Sequence, residues 1–111
     1  MVVESITAAR LHELITSGEV DVVDVRDPHE WANGHIGAAR HVPLSRLRGA
    51  VKPHLPRDNV AFVCAAGVRS NMAAQLAIAA GLHKVYNLTG GTKAWTAAGF
   101  ALVKPARHAV G

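Results

Sequence analysis

Cysteine is nearly absent: Cys64 is the single thiol in 111 residues. One cysteine excludes an intrachain disulfide, and without an export signal it points to a reducing compartment. No apolar run approaches the ~20 residues needed to cross a membrane. The amino end, Met1-Val2-Val3-Glu4-Ser5, carries an acid and no basic start before an apolar stretch, which is not the pattern of a secretory signal. A cytoplasmic location with no membrane role is therefore expected. Aromatic residues make up only 5% of the chain. The net charge of +4 would suit an anionic partner. Yet Arg40, Arg46, Arg48, Lys52, Arg57, Arg69, Lys84, Lys93, Lys104 and Arg107 are scattered, with no block and no aromatic interleaving. That distribution speaks against nucleic-acid binding and leaves a small anion as the better match.

What is present is apolar. Half the residues are hydrophobic, enough for one domain over 1–111 with a single core. The spacing of Leu11, Leu14 and Ile15 predicts a helix capped by Ser5 or Thr7 and stopped at Gly18. A β-branched strand follows over Val20 to Val25, with Asp24 near its carboxyl end. His29-Glu30-Trp31 is expected to make a helical turn after Asp27-Pro28. Arg40 to Val42 reads as a brief strand, and Ser45 as the cap of a short helix running to Val51. Lys52 to Asp58, with two prolines, reads as a loop. Val60 to Cys64 is a strand, and Arg69 to Ala80 an alanine-rich helix with Met72, Ala73, Leu76, Ala77 and Ala80 on one face. Val85 to Leu88 is a strand and Thr92 to Ala98 a helix. The tail from Lys104 has no periodicity. Alternating strands and helices predict an α/β fold with a largely parallel sheet, whose ligand crevice lies at the carboxyl ends of the strands.

Cys64 occupies such an end. The stretch Cys64-Ala65-Ala66-Gly67-Val68-Arg69-Ser70 leads from strand to helix. Loop N–H groups and the helix amino end would favour thiolate over thiol, and thiolate is the reactive form. Ala65, Ala66 and Gly67 are small enough for backbone to approach an anion. Arg69 offers a planar fork of donors and Ser70 one hydroxyl. The seven histidines are spread along the chain and none is an obvious general base. A ready-made thiolate acting on a good leaving group needs no base, which favours sulfur transfer or phosphate-type chemistry over acyl transfer. The rival reading of any lone cysteine is a small buried hydrophobe; the glycine, arginine and serine beside this one argue for function.

Four stretches, in order, are together similar to rhodanese-like domains, the thiosulfate/persulfide sulfurtransferases. They are Val23-Asp24-Val25-Arg26 with Glu30-Trp31 and Gly34-His35-Ile36; Val42-Pro43-Leu44; the Cys64 to Ser70 loop; and Gly90-Gly91-Thr92 with Trp95 and Gly99. They span about 6–102. The resemblance implies one rhodanese-like α/β domain with a central five-stranded parallel sheet flanked by helices on both faces. It implies that Cys64 carries a sulfane sulfur as a persulfide, taken from thiosulfate or a donor such as glutathione persulfide. The sulfur would pass to cyanide, a small thiol, or a thioredoxin-like or sulfur-relay protein. No metal or organic cofactor is implied. In this superfamily, sulfurtransferase loops place four residues between cysteine and arginine, while phosphatases and arsenate reductases place five. Ala65, Ala66, Gly67 and Val68 make four.

The loop departs from the family's thiosulfate-adapted members in carrying no charge besides Arg69. Lys93 and Arg26 are candidates to supply charge from neighbouring loops, although pairing of Arg26 with Asp27, Glu30 or main-chain carbonyls is the simpler reading. Asp24 either bonds the loop N–H groups, pairs with an arginine near Cys64, or caps its own turn. Trp95 is read as a packing anchor that could also line the pocket mouth. His29, His35 and His41 are spaced by six, which is no ligand pattern. Three functions stand: a sulfurtransferase, a non-catalytic sulfur-carrier or docking module of the same fold, and an oxyanion enzyme disfavoured by loop length.

Overall fold

The computed structural model describes residues 2–105. Five strands form one sheet: β1 (Glu4–Ile6), β2 (Asp21–Asp24), β3 (Ala39–His41), β4 (Val60–Val63) and β5 (Val85–Leu88). Their order is β1-β5-β4-β2-β3, and every pairing is parallel. Six helices connect them: α1 (Ala8–Ser17), α2 (Pro28–Ala32), α3 (Leu44–Gly49), α4 (Val51–His54), α5 (Val68–Ala79) and α6 (Gly91–Ala97). The five-stranded parallel α/β architecture expected from the resemblance is thus the one found.

The period of two along β4 divides the core. Val60, Phe62 and Cys64 face α3 and α5, packing with Leu47, Ala73, Ala74 and Ala77. Ala61 and Val63 point the other way, toward Leu11 and Leu14 of α1 and Trp95 of α6. β4 is buried along its whole length, as a central parallel strand must be. Burial of a side chain the size of Phe62 is worth roughly 2–3 kcal/mol. The same alternation puts the residue after β4, Cys64, in phase with Phe62. Its thiol is directed to the α5 side by the pleat of the strand before it.

Helix ends follow simple chemistry. Thr7 accepts from the Arg10 N–H at 3.1 Å, and Gly18 closes α1 in the left-handed region at φ 75°. Several expectations need correction. Ser45 does not cap α3, which begins one residue earlier, after Pro43. Lys52 to Asp58 is not all loop, because α4 takes in Pro53. That proline sits in the first turn, where no helical partner exists for its missing N–H. Met72 and Ala80 do not lie on the buried face of α5, which is made by Ser70, Ala73, Ala74 and Ala77; Met72 is exposed. β1 had no expected counterpart: three residues pairing only with β5 at the sheet edge leave little periodic pattern. The expectation of a loose tail falls mostly on 106–111, outside the described residues. No described helix is long and apolar enough to cross a membrane.

Candidate active site

The loop from Cys64 to Gly67 is held from two sides. On one side α5 begins at Val68, preceded by Gly67 at φ 102°. On the other, α6 donates its first N–H groups to the loop's carbonyls: Thr92 N–H to the Cys64 oxygen at 2.8 Å, Lys93 N–H to the Ala65 oxygen at 3.2 Å. With those carbonyls turned outward, the Gly67 N–H turns inward and donates to Cys64 Sγ at 3.1 Å. Gly91 makes the approach possible. It has φ 60°, and a Cβ there would overlap the Cys64 carbonyl oxygen and the Ala65 backbone. Gly91 therefore sets the distance between α6 and the loop, while a Cβ on Gly90 would instead meet Ala94 of α6 itself.

Cys64 is 1% exposed. Burial alone pushes its thiol pKa up. The Ser70 hydroxyl and the N–H groups of Ser70, Ala66 and Gly67 outweigh that, and the net shift is downward. Cys64 Sγ and Ser70 Oγ are 3.2 Å apart. Ser70 Oγ in turn donates to Asn87 Oδ1 at 2.5 Å, and Asn87 Nδ2 donates to the Gly67 carbonyl at 3.1 Å. Asn87, on β5, thus links the first turn of α5 to the loop. Sequence reading passed it over. The available signal was a polar residue in the otherwise apolar strand Val85-Tyr86-Asn87-Leu88.

Arg69 is not turned freely toward the loop. Glu30 of α2 holds both terminal nitrogens of its guanidinium, Nη1 donating to Oε1 at 2.6 Å and Nη2 to Oε2 at 2.9 Å. The bidentate bond holds the Glu30 carboxyl down at about 2 and raises Arg69 above the ordinary arginine value. Glu30 Oε1 also accepts from the Asp27 N–H at 3.0 Å, so the carboxylate is fixed on its own helix. The two partners are 39 residues apart, and no local pattern couples them.

Asp24 and Arg26 pair with each other. Arg26 Nε and Nη2 reach both Asp24 oxygens at 2.8–3.1 Å, and Arg26 Nη2 also donates to the Gly34 carbonyl at 2.7 Å. Both residues are buried. Asp24 lies beside Val63 in register, in phase with the α1 and α6 side of the sheet, opposite to Cys64. Of the partners considered for Arg26, a main-chain carbonyl is found, while Asp27 and Glu30 are not its hydrogen-bond partners. Trp95 is buried on the α1 side, its Nε1 donating to the Ala101 carbonyl at 2.9 Å. That placement makes it an anchor and not part of the mouth. Lys93 reaches the loop through its main chain; its side chain is exposed. At the rim, Val68 and Met72 are exposed apolar residues one helical turn apart. His35 stacks on Trp31 with centroids 3.4 Å apart and pairs through its backbone with Val103. Among the described residues, Asp27, His29 and Glu30 bring metal-type ligand atoms within 4.8 Å of one another. Glu30 is already held by Arg69, which leaves that group no strong claim on a cation.

A parallel α/β sheet with a buried, ionisation-prone cysteine in a backbone-lined loop at the end of its middle strand defines a class of proteins. The chain belongs to the rhodanese-like family: the model of the rhodanese-like domain matches residues 7–98. The chain is similar in structure to a rhodanese-related protein of Thermoplasma volcanium, with a TM-score of 0.81 and 37% identity over 92% of this chain and 99% of that one. It is also similar to a Rhodopseudomonas palustris protein described as a possible tyrosine phosphatase, with a TM-score of 0.82 and 33% identity over 91% and 85%. The human single-domain sulfurtransferase TSTD1 superposes with a TM-score of 0.73 at 25% identity, over 86% and 97%. The chain spans 61% and 56% of the length of two curated bacterial relatives that it matches.

Proposed function

We propose that this domain is a sulfurtransferase in which Cys64 takes up a sulfane sulfur and carries it as a persulfide to a thiol or cyanide acceptor. The observation that carries this reading is the four-residue loop closing on Sγ through Gly67 N–H, with Ser70 on its other side. These groups supply positive potential at the sulfur, so that an ionised thiolate can act without a general base. Attack by an ionised thiolate on the outer sulfur of the donor breaks the donor's S–S bond and forms one on Cys64. The charge left on the terminal sulfur then lies among the same N–H groups, which stabilise it without rearrangement. No metal or organic cofactor is required by this scheme. Candidate acceptors include a thioredoxin-like or sulfur-relay protein.

The loop also argues against the phosphatase suggestion attached to one structural relative. Four residues between Cys64 and Arg69, with the cysteine 1% exposed, suit an extra sulfur atom better than a tetrahedral phosphate. Val68 and Met72, exposed beside the loop, favour one further reading: a carrier module that hands sulfur to a docked protein. Turnover with small donors and acceptors alone separates the two.

The test is to incubate the protein with thiosulfate and with glutathione persulfide and measure intact mass. The expected result is addition of one sulfur, removable by cyanide and absent in Cys64→Ala, which should keep its fold by circular dichroism. Sulfur transfer surviving in Cys64→Ala would end the proposal.

A further inference from the structure

We infer that Glu30 sets the donor selectivity of the Cys64 site by neutralising Arg69, so that the site takes sulfur from carbon-bound persulfides in preference to thiosulfate. This rests on the sulfurtransferase reading above and names its donor class.

Between Cys64 and Arg69 the loop offers no charged side chain and no side-chain donor, because Ala65, Ala66, Gly67 and Val68 have none. Arg69 is the loop's only cation, and both of its terminal nitrogens are bound by the Glu30 carboxylate. Glu30 cannot readily swing away, since Oε1 is also held by the Asp27 N–H. Its carboxyl, lowered to about 2, stays ionised over any working pH. Arg26, whose charge is felt at Glu30, is buried and taken up by Asp24. Arg69 and Arg26 thus each carry their own counter-ion.

The chemistry of the donors differs where this matters. Thiosulfate concentrates two negative charges on five atoms and releases sulfite, equally charged. Neutralising it takes cations, and backbone N–H dipoles alone are weaker partners for a dianion. In a carbon-bound persulfide the sulfane sulfur is joined to a thiol sulfur on a methylene. The Cys64 thiolate attacks the outer sulfur of R–S–SH and the S–S bond breaks. Cys64–S–S⁻ forms, and the proton of the transferred sulfur goes to the departing RS⁻, giving RSH. No dianion is bound or released at the sulfur. The exposed Val68 and Met72 at the rim suit the carbon chain of such a donor.

The experiment measures the rate at which each donor loads Cys64, by quenched intact mass, in the wild type, Glu30→Gln and Val68→Arg. Glu30→Gln removes the counter-charge while retaining an oxygen for the Asp27 N–H. Val68→Arg adds an unpaired cation at an exposed loop position without touching Glu30. Glutathione persulfide should load the wild type at least ten times faster than thiosulfate. Each variant should narrow that ratio by about tenfold, the order expected of one unmasked charge at a partly exposed site, and the narrowing should fade at high salt. Equal loading of the wild type by both donors would overturn the inference while leaving the sulfurtransferase reading intact. So would a ratio unmoved in both variants. Failure of both donors to load Cys64 in all three proteins would remove that reading and the inference with it.

Discussion

At the scale of single residues, the site turns on the proton of Ser70. It has two acceptors in reach, Asn87 Oδ1 and the Cys64 sulfur. When the sulfur is a thiol, it can donate to Ser70 while Ser70 donates to Asn87. When the sulfur is ionised, the hydroxyl is needed there. Ser70→Ala removes this donor, so the Cys64 pKa should rise toward the ordinary thiol range. The pH dependence of iodoacetamide alkylation checks it: the midpoint should move to higher pH, and an unmoved midpoint would show that the N–H groups suffice. The sign for stability is the acid one. A lowered Cys64 pKa contributes stability that is complete above the unfolded thiol pKa and lost as pH falls through the folded value. Asn87→Ala leaves both Ser70 and the Gly67 carbonyl short of a partner. It should cost about 1–3 kcal/mol in chemical denaturation and slow loading of the cysteine.

At the scale of elements, what could be read from the chain was what is local. The β4 strand, the α5 start after Gly67 and the Gly18 stop all followed from patterns a few residues long. Cys64 and its loop were legible for the same reason. Pro53 misled because a proline excludes a helix interior and not its first turn. Glu30 with Arg69, and Asn87 with Ser70, were not legible: these pairs are joined only when α2 meets α5 and when β5 lies beside β4. Asp24 was placed at the correct strand end but on the other side of the sheet, which a strand-end argument alone does not decide. The α6 contact yields a prediction of its own. Gly91→Ala should force α6 off the Cys64 carbonyl, lowering the unfolding midpoint by roughly 1–3 kcal/mol equivalent and slowing sulfur loading, even though the added methyl is far from any donor's charge. A melt and a loading rate within error of wild type would contradict the role given to Gly91.

For the whole molecule, the Glu30–Arg69 pair joins α2, which follows β2, to α5, which follows β4. The Glu30 pKa is lowered, so its contribution is fully present above about 4.5, the usual carboxyl value, and is lost as pH falls through about 2. Glu30→Gln should therefore unfold more readily than wild type at neutral pH. The two should converge in very acid solution, in urea titrations followed at several pH values. A constant difference down to the lowest pH would mean that the pair's charge is not what links these helices. Truncation within the α5-side core tests the packing itself: Phe62→Ala should cost about 3–5 kcal/mol.

What the loop itself turns toward the Cys64 sulfur is main chain. The Gly67 N–H faces the sulfur, and the outward carbonyls are tied to α6. Every amino acid except proline brings the same N–H, so the side chains at Ala65, Ala66 and Val68 are decoupled from the chemistry they surround. Ala66 and Val68 are exposed. On the proposed reading, substitutions at these positions can change how a donor is met while the Gly67 N–H and the Cys64 sulfur keep their contact. The fold separates what must be kept from what can be varied, and a library randomised at these positions should yield altered donor preference far more often than loss of the folded state.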